Sequence, residues 1–138
     1  MAIDVFEFSS GALAFVLAFV TAGLFTLAFK GIYQLITPYK EGQLLREGNV
    51  AAAIALGGAI LGYVIPLASA LSQTHSLIEF AVWALLAGVI QILAFWGVRR
   101  IALPDVSERI VRGEVASGVY LLSISVAVGI LNAACMTS

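Results

Sequence analysis

Few residues in this chain are equipped for chemistry, and they are scattered. Glu114 is the strongest ionisable candidate. It follows Gly113 where a helix should begin, and a carboxylate there suits a cation or a proton rather than an anion. Asn49, after Gly48, holds the matching place at the start of an earlier helix, and the plainer role of both side chains is to cap unpaired backbone N–H groups. Gln91 and Asn132 are the strongest neutral polar residues in or beside apolar stretches, suited to interhelical hydrogen bonds or to lining a polar path. His75 has no His, Cys or paired carboxylate at ligand spacing, so it reads as an exposed turn residue and no metal is expected. Cys135 is the single cysteine and excludes an internal disulfide. The Ser and Thr residues lack a nucleophile motif, and the glycines follow neither phosphate-binding pattern. Without a positioned base, nucleophile or metal, the expectation is a protein that is no enzyme and uses no cofactor.

The elements that must hold these residues are membrane spans. Hydrophobic residues make up 62% of the 138 positions and charged ones 11%, more apolar surface than a soluble core can bury. The charges are clustered, leaving uncharged stretches at Phe8 to Phe29, Asn49 to Ile78, Phe80 to Val98 and Val115 to Ser138. A helix crosses a hydrocarbon core of about 30 Å with roughly 20 apolar residues. The expected fold is therefore a single all-α membrane domain over residues 1–138, with spans near Gly11 to Ile36, Val50 to Leu71, Phe80 to Val98 and Val115 to Met136. A tight polar turn is expected at Ser72-Gln73-Thr74-His75-Ser76. The first span is expected to be retained rather than cleaved, because Asp4 and Glu7 precede it instead of a basic region.

Orientation follows from the basic residues. Lys30, Lys40 and Arg46 lie at or between the first two spans, and Arg99, Arg100, Arg109 and Arg112 between the last two. The positive-inside rule places both loops in the cytoplasm and both termini outside. The net charge of −1 thus hides a dipolar arrangement, and the basic side chains read as topology determinants and partners of anionic lipid, with no nucleic-acid partner.

Laid over itself at an offset of 65, the chain pairs Phe15 with Phe80, Ala22-Gly23 with Ala87-Gly88, Gly48 with Gly113 and Val50-Ala51 with Val115-Ala116. At an offset of 66 it pairs Leu27-Ala28-Phe29 with Leu93-Ala94-Phe95, Pro38 with Pro104 and Arg46 with Arg112. The reading is a tandem two-span duplication, about 11–72 and 77–136, whose halves share one orientation in the membrane. Thr37-Pro38-Tyr39, the run from Glu47 to Ala53, Gly57-Gly58, Gly62, Ile65-Pro66-Leu67 and the closing run from Gly129 to Ala134 carry a further likeness. In these residues, over nearly its whole length, the chain resembles the YjfL-like bacterial inner-membrane family, a domain of unknown function (350) built from two tandem two-helix repeats. The resemblance implies location and architecture, and offers no activity to transfer.

Gly57, Gly58 and Gly62 in the second span, and Gly118 and Gly129 in the fourth, are expected to let these two helices pack closely at the centre or across a subunit boundary. Pro66 should kink the second span, with Ser69 helping to accommodate the lost donor. Asp105 and Glu108 have capping-box spacing, so short interfacial helices are expected in the cytoplasmic loops. Trp83, Trp96, Tyr33, Tyr39 and Tyr63 read mainly as interfacial anchors. Two functions fit. An oligomeric pore or carrier for an ion or small solute, lined by Asn49, Glu114 and Gln91, is slightly favoured by the repeat symmetry. A structural or adaptor protein that oligomerises and offers its loops to a soluble partner or lipid is the alternative.

Overall fold

A computed structural model describes residues 5–74 and 76–136. Four helices in it are long and apolar enough to cross a membrane: Ser10–Ile36, Val50–Gln73, Leu77–Ala102 and Val115–Cys135. The first belongs to α1 (Val5–Ile36) and the second is α3 (Val50–Gln73). The third joins α4 (Leu77–Gly97) to one π-helical turn, Val98–Ala102, and the fourth is α6 (Val115–Cys135). Two six-residue helices, α2 (Glu41–Arg46) and α5 (Val106–Val111), lie in the loops before α3 and α6. A spanning segment in lipid must satisfy its own backbone groups, which is why such apolar sequence becomes helix from end to end.

The bundle is organised around α3 and α6, whose backbones touch. A Cβ added at Gly58 would stand 2.5 Å from Leu122 Cα, and one at Gly118 would stand 2.6 Å from the Ala51 carbonyl oxygen. At Gly129 it would run into the Gly62 carbonyl, and at Gly62 into the Ser125 carbonyl. Lipid tails are as apolar as leucine, so helices associate in them through such close approach rather than through hydrophobic burial. Gly57 takes no part. A Cβ there would meet nothing within 4 Å, so the packing role expected of it is corrected.

Helix α1 leans on α3 and α4, through one stripe of aromatics at i, i+4 and i+8. Phe25 meets Phe80 edge-on at 5.7 Å, Phe29 stacks on Tyr63 at 4.4 Å, and Tyr33 meets Phe95 at 5.2 Å. Such pairs contribute about 0.5–1.5 kcal/mol each beyond their area. Tyr33 and Tyr63 are therefore core residues and not interfacial anchors. The Tyr63 hydroxyl, which would be costly to bury alone, donates to the Ala84 carbonyl at 3.2 Å.

Several boundaries differ from expectation. Ser72 and Gln73 still belong to α3, and Thr74 ends it by donating from both its N–H and its hydroxyl to the Ala70 carbonyl. Ser76 then opens α4 by accepting from the N–H groups of Ile78 and Glu79. The turn is thus shorter than expected, and His75 lies outside the described residues. Arg99 and Arg100 fall in the π turn that prolongs α4, not in a loop, with the Arg100 guanidinium 5.6 Å from the Trp96 ring centre. Pro66 sits buried within an unbroken α3. Ser69 does not relieve it, because that hydroxyl donates to Ala133 of α6 at 3.3 Å.

Candidate functional site

Proline at position 66 supplies no N–H to the carbonyl four residues back, which leaves Gly62 without its helical donor. Gln91 of α4 fills the gap. Its side-chain nitrogen donates to the Gly62 carbonyl at 2.9 Å and to the Ser125 carbonyl of α6 at 3.0 Å, tying three helices through one amide. Both of its N–H bonds are thereby occupied. Asn132 is also buried, near the other end of α6, and its side-chain nitrogen has no partner among the described residues.

Most of the charged residues gather at the end of the bundle where the two long loops meet, here the loop end. Each short helix finishes in the same way. Gly48 (φ 81°) and Gly113 (φ 83°) adopt the left-handed conformation, and their N–H groups bond to the carbonyls of Leu45 and Ile110 at 3.0 and 2.9 Å. The next N–H, of Asn49 or Glu114, bonds to Leu44 or Arg109 at 2.9 or 3.0 Å. This is the Schellman stop, and glycine is required because a Cβ is strained at positive φ. The glycines therefore end α2 and α5 rather than loosen the entry to the spans.

Asn49 and Glu114 share this backbone and diverge in their side chains. Asn49 accepts from the Ala52 N–H at 3.0 Å, capping α3 as expected, and donates across to the Ile110 and Val111 carbonyls at 2.8 and 3.3 Å. One amide thus locks α3 to the end of α5. Glu114 caps nothing. Its carboxylate accepts from Arg109 at 3.0 Å and lies 3.8 Å from Arg112, while Arg109 also donates to Asp105 at 2.8 Å. The expected caps at Glu114 and Asp105 are therefore replaced by ion pairs, because guanidinium groups within reach are stronger partners for carboxylates than backbone N–H groups. Pairing with Arg109 holds the Asp105 carboxyl below the usual range. Arg46, at the last residue of α2, is exposed and aligns with Val111 rather than Arg112, since α2 and α5 match at a constant offset of 65.

The residue missed in the sequence is Glu41. It opens α2 just outside the first span, is 3% exposed, and neither carboxyl oxygen has a hydrogen-bond partner among the described residues. Thr37, buried beside it, gives its hydroxyl to the Gln34 carbonyl at 3.0 Å. Burial pushes the Glu41 carboxyl above its ordinary range, with Thr37 and the Lys30 ammonium pulling partly back. Tyr39 is raised as well, by burial first and then by the charge of Glu41. At the offset of 65 the counterpart of Glu41 is Val106, which is 0% exposed. The signal lay in the register: an offset of 66 through this loop sets Glu41 against Ser107, which hides a carboxyl standing where the other loop buries valine.

Tyr39 also forms one wall of a groove between the loops. Pro38 and Tyr39 face Ser107, Glu108, Val111 and Arg112 across a space of about 400 Å³. Apolar walls flanked by Glu108 and Arg112 can take a peptide side chain or a lipid head group.

The family described as Domain of Unknown Function (DUF350) matches residues 7–136. The chain is 42% identical over 125 residues to the UPF0719 inner membrane protein YjfL of Escherichia coli K12, covering 91% of this chain and 94% of that protein. The O157:H7 protein of the same name gives the same values. The UPF0719 transmembrane protein YshE of Bacillus subtilis is 31% identical over 75 residues, 54% of this chain and 56% of that protein. No solved structure matches.

Proposed function

The chain belongs to the DUF350 family of membrane proteins, and from that premise we propose that it is an inner-membrane adaptor whose loop end faces the cytoplasm and docks a soluble protein partner. One observation carries this reading. Within the spans the Gln91 amide and the Tyr63 and Ser69 hydroxyls are engaged in helix contacts, with the Asn132 nitrogen left over, whereas the groove that joins apolar walls to paired acidic and basic groups lies at the loop end.

A pore needs a continuous polar route, and two features weigh against one. Within one copy, α3 and α6 meet backbone to backbone and the Gln91 donors are both taken. Between copies, the outward faces are apolar: Phe15, Phe19 and Leu27 on α1, Leu85 and Leu93 on α4, Ile130 and Leu131 on α6. Asn49 and Glu114 are engaged at the loop joints, which supports a structural role for both. No catalytic step is proposed.

The topology belongs to the same proposal. All seven Lys and Arg residues fall at the loop end, which favours a cytoplasmic platform with both termini outside. Tandem duplication accounts for the matched Schellman stops. Copies would self-associate along the α1–α3 flank, where Ala22, Gly23 and Ala68 line an apolar groove with Phe19, Val64 and Leu67.

A photo-reactive amino acid at Val111, at the groove, and at Leu35, on the lipid-facing side of α1, tests the reading in native membranes. A discrete protein adduct from position 111 that is lost with Arg112→Glu, and absent from position 35, supports docking. Adducts equally abundant from both positions, or none from the groove, refute it.

A further inference from the structure

We propose that Glu41 is a proton-binding site, its carboxyl neutral in the folded protein at pH 7 and its release of the proton coupled to the position of Tyr39. Geometry carries the first half. Both oxygens are shut off from solvent and have no hydrogen-bond partner among the described residues, and the neighbouring Thr37 hydroxyl, which would favour the charged form, is directed to the Gln34 carbonyl instead. An ionised carboxylate in such a place costs several kcal/mol unless it is paired, and the usual response is to take up a proton. The surroundings are built for an uncharged group, since the matching position at the start of α5 is the fully buried Val106.

Other occupants fit less well. The titratable and charged groups acting on Glu41 are Lys30 and Tyr33 from α1 and Tyr39 from the connector, with Lys40 next in sequence. A metal cation wants several oxygen ligands, and a single carboxylate beside an ammonium group offers a poor set. Lys30 forms no ion pair with Glu41 within 4 Å, so it biases the carboxyl without neutralising it.

Coupling to Tyr39 follows from shared walls. Tyr39 lines the inter-loop groove and stands two residues before Glu41, close enough for the charge of the carboxylate to act on its hydroxyl. Once the carboxyl ionises, it must be reached by water or by Lys30, which alters the surroundings that hold Tyr39. The proton site stands whether or not a protein occupies the groove.

The test uses the full chain in phosphatidylethanolamine–phosphatidylglycerol nanodiscs, titrated from pH 5 to 9. Infrared difference spectra read the C=O stretch of a protonated carboxylic acid, and near-ultraviolet circular dichroism reads the tyrosines. The expected result is a protonated-acid band that persists at pH 7 and is lost at a midpoint above the ordinary carboxylate range. The band should be missing from Glu41→Gln, and the tyrosine signal should move with the same midpoint only in the wild type. Glu41→Val should fold, as Val106 does in the other loop, and should show neither change. Absence of the band in the wild type at pH 7, its survival in Glu41→Gln, or failure of both neutral variants to fold would each overturn the proposal. A band that titrates while the tyrosine signal stays flat would overturn the coupling.

Discussion

Replacing Gln91 with leucine keeps the volume of the side chain and removes the donors that join α3, α4 and α6. Two hydrogen bonds are lost, to Gly62 at 2.9 Å and to Ser125 at 3.0 Å. Interhelical hydrogen bonds in membranes are each worth about 0.6 kcal/mol, rising to about 1.7 at most, so Gln91→Leu should destabilise by roughly 1–3 kcal/mol. The two carbonyls are not equivalent. Ser125 keeps its place in a regular helical ladder, whereas Gly62 has no helical donor because residue 66 is proline. Pro66→Ala would restore an N–H in range of the Gly62 carbonyl. In that background Gln91→Leu should cost about 1 kcal/mol less, a coupling that a double-mutant cycle isolates. Steric trapping of doubly biotinylated protein in bicelles measures the four stabilities. Strictly additive losses, or a neutral Gln91→Leu in the wild-type background, would refute the assignment of Gln91 as the surrogate donor.

The glycine seam makes a paired prediction: Gly129→Ala should destabilise by about 1–3 kcal/mol through overlap with the Gly62 carbonyl, whereas Gly57→Ala should be neutral or stabilising by up to ~1 kcal/mol, both read by the same unfolding assay. Asn49→Ala should cost about 1–2 kcal/mol and raise hydrogen exchange at the start of α3 and the end of α5, while Glu114→Gln, which removes no cap, should leave the start of α6 protected. Stability should fall as pH rises from the ordinary carboxylate range through the raised value of Glu41, because the folded state holds the extra proton there. Asp105 acts with the opposite sign: its lowered value gives a contribution present above the ordinary range and lost as pH falls through the lowered one, and acid titration of wild type against Asp105→Asn separates the two.

The four spans were legible because an apolar stretch in lipid has one way to satisfy its backbone, and charge clusters mark where it ends. The close packing at Gly58, Gly62, Gly118 and Gly129 was legible from residue size, but Gly57 was not separable from Gly58, since which face of α3 meets α6 depends on a register that composition does not set. Gln91 is suited by its type either to interhelical hydrogen bonds or to a polar path, and its tie to Pro66 joins positions far apart in the chain that only the fold brings together. Glu114 misled because a residue at a helix start reads as a cap until Arg109 is seen beside it. Glu41 stayed hidden for a related reason: a Glu in a charged loop looks solvated, and its burial follows from how α2 packs against α3.

Ion flux through the reconstituted protein tests most directly whether the bundle lacks a continuous polar route. Proteoliposomes loaded with a pH-sensitive and a potassium-sensitive dye should leak no faster than protein-free vesicles under an imposed gradient, in wild type and in Gln91→Ala alike. A protein-dependent flux that changes with substitution of Gln91 or Glu114 would contradict that absence and return these residues to the lining of a conduit.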